Sequence, residues 1–276
     1  MMSGLFGVRC IAIWVTLAMA GTGSAQMITA HRGASYDAPE NTIAAFKLAW
    51  EQAADAVEGD FYLTADRQIV CIHDTDTLRT TGVKKIVAQS TLEELRQLDA
   101  GTWKDKAFAG ERIPTFAEVL AAIPKGKRFV IELKVGPEIV PVLVEELQRY
   151  KPDPASLQII AFNAATVAAC KQQLPEINVH WLTGFKQPKG GGPWSPTAET
   201  IIETVRRSGA DGVGMQGQRQ VIDREFIAAL RAGGVDEFHV WTIDSVADAR
   251  FFRDLGPTGI TTNRPAFIRA GLAAAE

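Results

Sequence analysis

Residues 128–183 read RFVIELK-VGPEIVPVLVEELQRY-KPDPAS-LQIIAF-NAATVAACKQQ-LPEI-NVHWLT, and this stretch decides the fold. Arg128 to Lys134, Leu157 to Phe162 and Asn178 to Thr183 are short apolar runs of strand length. Between them, Glu138 to Tyr150 and Ala164 to Gln173 carry helical periodicity. Strands joined by helices of this length run parallel, because the helix returns the chain to the starting edge of the sheet.

The rhythm continues outward in both directions. Downstream it predicts strands at Asp211 to Met215, Phe238 to Ile243 and Gly259 to Thr262, with helices at Ala198 to Ser208, Arg224 to Ala232, Val246 to Leu255 and Pro265 to Leu272. Upstream, Met27 to Ala30 is a short strand ending at His31. Ala44 to Ala54 is a helix that Asn41 or Thr42 would cap, and Ala56 to Leu63 is a second strand. Ile69 to Ile72 follows a tight turn and reads as a hairpin excursion after strand two rather than another step around the fold. Helices at Thr91 to Leu98 and Phe116 to Ala122 come next. Eight strands, each followed by a helix, predict an α/β fold of the (β/α)8 TIM-barrel type. A doubly wound open sheet is the alternative, but no G-x-G-x-x-G follows the first strand.

The 276 residues, 46% apolar and 22% charged, are enough to bury a sizeable core, and a net charge of -3 gives no basic field for a nucleic-acid partner. Arg9, the apolar run Cys10 to Ala20 and Gly23-Ser24-Ala25 predict a signal peptide over residues 1–25, cleaved before Gln26. The run is shorter than the roughly 20 residues a membrane-spanning helix needs, so a retained anchor is the competing reading and no stable span is expected after processing. The expectation is one exported domain over 26–276, periplasmic or secreted, with the oligomeric state left open. Export permits a disulfide between Cys71 and Cys170. Their apolar neighbours favour two buried, reduced thiols.

A barrel presents reacting groups at the C-terminal ends of its strands. His31-Arg32-Gly33 follows strand one, Glu58 and Asp60 lie in strand two, His73-Asp74 ends the hairpin, and Glu132-Leu133-Lys134 closes strand three. Alternation places Glu58 and Asp60 on one face of their strand, and Glu132 and Lys134 on one face of theirs. Strands of a parallel barrel are normally apolar, so buried carboxylates here require a compensating charge. A divalent cation, Ca²⁺ or Mg²⁺, suits an all-oxygen set better than Zn²⁺. The alternative is a metal-free salt-bridge cluster with Arg32 and Lys134. His31 and His73 suit acid–base work. His180 and His239, inside strands beside Trp181 and Trp241, read as core residues.

In order, His31-Arg32-Gly33, Pro39-Glu40-Asn41-Thr42, Glu58-Gly59-Asp60, His73-Asp74, Ile113-Pro114-Thr115, Glu132-Leu133-Lys134 and Val240-Trp241-Thr242 resemble the glycerophosphodiester phosphodiesterase family across Ile28 to about Gly271. The resemblance implies hydrolysis of a small-molecule glycerophosphodiester to glycerol 3-phosphate and an alcohol. It implies His31 and His73 as general base and acid, Glu58, Asp60 and Glu132 as metal ligands, and Arg32 and Lys134 as phosphate contacts. It further implies Trp241 against glycerol, Glu40 in support of the site, and Asn41 as a helix cap. Asn263, where many relatives carry Asp, removes a charge near the mouth, and the segment with Gly212, Gly214 and Gly217 departs from the usual pattern. The competing functions are a lysophospholipase D-like lyase releasing cyclic phosphate and a non-catalytic phosphodiester-binding barrel.

Overall fold

The computed structural model describes residues 26–274, so the signal peptide expected over 1–25 lies outside the described residues. The chain runs β1 (Ile28–His31), α1 (Ile43–Glu51), β2 (Ala56–Leu63), β3 (Ile69–Cys71), α2 (Leu78–Thr81), α3 (Leu92–Arg96), α4 (Phe116–Ala121), β4 (Arg128–Leu133) and α5 (Val140–Tyr150). It continues through β5 (Leu157–Ala161), α6 (Ala164–Gln173), β6 (Asn178–Thr183), α7 (Ala198–Ser208), β7 (Gly212–Gln216), α8 (Arg224–Ala232), β8 (Glu237–Trp241), α9 (Val246–Arg253), β9 (Gly259–Thr262) and α10 (Pro265–Ala273).

The strand order is β1-β9-β8-β7-β6-β5-β4-β2-β3, and β1 also pairs with β2. That last pairing closes eight parallel strands into a barrel and removes the open-sheet alternative. β3 is the one antiparallel member, paired with β2 from Phe61↔Cys71 to Leu63↔Ile69, which is the hairpin excursion the sequence predicts. The excursion continues through α2 and α3 before α4 returns the chain to the barrel wall.

Local chemistry explains the helix starts. Thr91 and Thr115 each form a capping box with a Glu three residues on, satisfying two backbone donors reciprocally. Thr42, not Asn41, caps α1: its side chain accepts from the Ala45 N–H. The outward faces of the strands pack on the helices, where Phe61 meets Phe116 and Phe129 edge-on with ring centroids 5.4 and 5.8 Å apart. Full burial of each ring contributes about 1.5–3 kcal/mol. Cys71 and Cys170 are buried free thiols, the reduced state favoured above.

Candidate active site

The approach to the site is set by a left-handed turn after β1. Arg32 and Gly33 have φ of 57° and 80°, and a Cβ on Gly33 would overlap the Ala45 backbone, so only glycine fits there. The turn aims the Arg32 N–H at Glu58 Oε2 (2.9 Å) and puts its guanidinium between two acids, Nε 3.1 Å from Asp60 Oδ2 and Nη1 3.0 Å from Glu40 Oε1. Strand register supplies the rest: His31 lies beside Glu58 and Asp60 beside Glu132.

Of the residues expected at the site, all but Asp60, which is fully buried, and Glu40, which lines a separate small pocket beside His73, line one cavity of about 140 Å³ at the C-terminal ends of the strands. The lining includes His31, Arg32, Glu58, His73, Glu132, Lys134 and Trp241. Larger surface clefts open at the opposite end of the barrel, around Gln26 to Ile28 and around Pro124 to Phe129. The glycine-rich loop Lys186 to Pro196 contributes nothing to the cavity wall.

Glu58, Asp60 and Glu132 each offer a carboxylate oxygen within 4.8 Å of the others. Lys134 Nζ sits 2.7 Å from Glu132 Oε1 and 3.3 Å from Asp60 Oδ1, the latter out of line for a hydrogen bond. Part of the expected salt-bridge cluster is therefore real, but it does not balance. Glu58 Oε1 and Asp60 Oδ1 are buried with no hydrogen-bond partner, and Glu58 has only a backbone donor on its other oxygen. Burial is the first cause, and the neighbouring carboxylates the second, that push Glu58 well above the ordinary carboxyl range and Glu132 up to about 7. Burial also opposes ionisation of Asp60, but Arg32 and Lys134 outweigh it and hold that group at about 2. Two orphaned oxygens and spare negative charge in an all-oxygen set fit a bound divalent cation.

The two histidines are oriented differently. His31 Nδ1 lies 2.8 Å from Asn263 Oδ1, which also accepts from Ser35 Oγ. Asn263 donates from Nδ2 and from its backbone N–H to Asp244 (2.6 and 2.8 Å). A carboxylate only accepts, so the amide nitrogen must face Asp244 and the amide oxygen must face His31. His31 thus carries its proton on Nδ1 and leaves Nε2 as a lone pair. Burial, then Arg32, lowers this imidazole to about 4. His73 Nδ1 instead meets the carboxylate of Asp74 at 2.7 Å, an acceptor that orients the ring and places a proton on Nδ1. Arg79 holds Asp74 at 2.6 Å and grips Glu40 with two nitrogens at 2.7 and 2.8 Å, so one ion-pair chain links Arg32 to His73.

Two expectations need amending and a third extending. Asn41 is not the cap: it is buried at φ 57°, donates to Asp60 Oδ2 (2.8 Å) and accepts from the Asp60 N–H (3.2 Å) and from Cys71 Sγ (3.2 Å). The charge absent at position 263 is supplied by Asp244 behind it. His239 is buried and hydrogen-bonded, as read, and its ring in addition lines the cavity. Arg79 and Asp244 were missed outright. Each lies in a polar turn or a four-residue helix with no periodic signal, and only the fold brings it to the site.

The sequence model of the "Glycerophosphoryl diester phosphodiesterase family" matches residues 31–267. A Bacillus subtilis (strain 168) relative, YhdW, is 38% identical over 243 residues, covering 87% of this chain and 96% of its own. The glycerophosphodiester phosphodiesterase of Caldanaerobacter subterraneus subsp. tengcongensis is 33% identical over 246 residues, covering 87% and 94%. Among solved structures, an Oleispira antarctica phosphodiesterase in complex with the product sn-glycerol-3-phosphate superposes with a TM-score of 0.80 at 27% identity, over 91% of this chain and 98% of that one.

Proposed function

This chain belongs to the glycerophosphoryl diester phosphodiesterase family, and from that premise we propose how its own residues hydrolyse glycerophosphodiesters to glycerol 3-phosphate and an alcohol. The observation that carries the proposal is the meeting of two differently partnered histidines on one cavity with Glu58 and Glu132, whose carboxylates form an unbalanced trio with the buried Asp60. The product held by the Oleispira phosphodiesterase supports the same substrate class.

Glu58, Asp60 and Glu132 would hold a Ca²⁺ or Mg²⁺ ion, which when bound neutralises phosphate charge and lowers the pKa of a nearby hydroxyl. Arg32 and Lys134 contact the phosphate oxygens, and Trp241 packs on glycerol. His31 Nε2 takes the proton of the glycerol hydroxyl on the carbon next to the ester. That oxygen attacks phosphorus, and His73, backed by Asp74, protonates the departing alcohol. Water then opens the cyclic phosphate with the two roles exchanged. The tethered nucleophile provides much of the acceleration, because it needs no bimolecular encounter. The same reading has the chain exported after cleavage before Gln26, supported by Arg9 and the apolar run that follows.

The test is to incubate the protein with glycerophosphocholine and glycerophosphoethanolamine, with EDTA and after restoring Ca²⁺ or Mg²⁺. Metal-restored release of glycerol 3-phosphate is expected. A folded protein that releases none with either ion would overturn the reading, and accumulation of cyclic phosphate alone would convert it to a lyase.

A further inference from the structure

A chain of hydrogen bonds runs through the barrel from Glu237, exposed at its floor, to the buried pair of imidazoles beside the cavity. β6 contributes His180, and β8 contributes Glu237 and His239 on one face of the strand. Glycines at 212 and 214 of β7 make the room: a Cβ at Gly212 would lie 2.7 Å from His180 Nε2, and one at Gly214 would overlap the His239 ring. The two imidazoles stack with centroids 5.2 Å apart and Nδ1 atoms 3.0 Å apart, while His180 Nε2 lies 3.3 Å from Glu237 Oε2.

The protons along this chain can be placed by elimination. The bond from His180, and one donated by Asn178 Nδ2, hold Glu237 below the ordinary carboxyl range, so it is ionised and only accepts. His180 therefore donates from Nε2. In its neutral form His180 then offers Nδ1 as an acceptor, and the 3.0 Å contact between the rings places the proton on His239 Nδ1. Burial first, and the adjacent ring second, keep His239 neutral, so its Nε2 is a lone pair. That nitrogen makes no hydrogen bond to any described residue, and its ring lines the substrate cavity. Two residues along the same face, Trp241 lines the cavity too, and its indole N–H is buried without an acceptor.

An unpaired acceptor and an unpaired donor on one strand face match a single hydroxyl group, which can satisfy both. We propose that His239 Nε2 accepts a hydrogen bond from the terminal glycerol hydroxyl, the one that does not attack phosphorus, and that Glu237 holds His239 in the required tautomer through His180. The inference rests on the function proposed above and adds a residue that selects glycerol over diols lacking that hydroxyl.

The test compares wild type and His239→Leu on glycerophosphocholine and on the same diester built from propane-1,2-diol, which keeps the attacking hydroxyl and lacks the terminal one. Wild type should prefer the glycerol substrate by about 100-fold in kcat/KM, about tenfold for each of the two neutral hydrogen bonds the terminal hydroxyl makes. In His239→Leu that preference should fall about tenfold, chiefly through KM and with the loss confined to the glycerol substrate, while the bond from Trp241 remains; equal losses on both substrates would overturn the proposal. Glu237→Gln, on the barrel floor, should reduce the preference in the same direction. Long-range ¹H–¹⁵N NMR of the wild type decides the matter without turnover. It should find His180 protonated at Nε2 and His239 at Nδ1, with glycerol 3-phosphate shifting His239 Nε2. Reversed tautomers or an unmoved resonance would refute it. Absence of phosphodiesterase activity would instead strike the proposed function.

Discussion

Replacing Asn41 separates its role in the site from its role in the fold. Asn41 gives Asp60 a side-chain hydrogen bond of 2.8 Å and accepts the Asp60 backbone N–H at 3.2 Å, both fully buried. Losing a bond to an ionised group costs about 1.5–3 kcal/mol, and orphaning a buried backbone donor costs about 1–3 kcal/mol, so Asn41→Gly should be destabilised by about 2.5–6 kcal/mol. Glycine tolerates the φ of 57°, whereas Asn41→Ala adds about 1–2 kcal/mol of left-handed backbone cost. Because Asp60 is a proposed metal ligand held from behind, cation affinity should fall about 10–100-fold in both variants. Denaturant unfolding gives the stability terms, and calorimetric titration with Ca²⁺ and Mg²⁺ gives affinity. Wild-type affinity in a destabilised Asn41→Gly protein would refute the positioning role, and equal stability of the two variants would refute the backbone argument.

Further outcomes follow from the same geometry. His31→Ala and His73→Ala should each lower kcat by about 10²–10⁴-fold with the unfolding midpoint nearly unchanged, measured by glycerol 3-phosphate release. In EDTA, stability should fall as pH rises from about 4.5 to 7. Glu132 is raised to about 7 in the folded protein, with Glu58 raised in the same direction, so the native state holds protons that the unfolded state has released. Saturating cation should flatten that slope in thermal unfolding scans; a slope unchanged by metal would argue against the trio as its site. Gly214→Ala forces a methyl into the His239 ring and should cost about 1–3 kcal/mol, read from the denaturation midpoint.

The sequence by itself determined the barrel and most of the site. Alternating strands and helices admit few topologies, and paired acids at Glu58/Asp60 and Glu132 with Lys134 are legible because a two-residue period places them on one strand face. Polar residues in strands that should be apolar are visible without coordinates. The tertiary structure decided what those residues are bonded to. Asn41 looks like a cap in sequence because it precedes a helix, yet a left-handed turn sends its amide to Asp60, 19 positions away. Asn263 looks like a lost charge until Asp244 is found behind it, and His239, a core residue as read, also lines the cavity because glycines on the neighbouring strand open space for its ring. Periodicity specifies the direction a side chain takes from its own strand. The partner it meets depends on closure of the barrel, which brings together groups from distant parts of the chain that no local pattern connects.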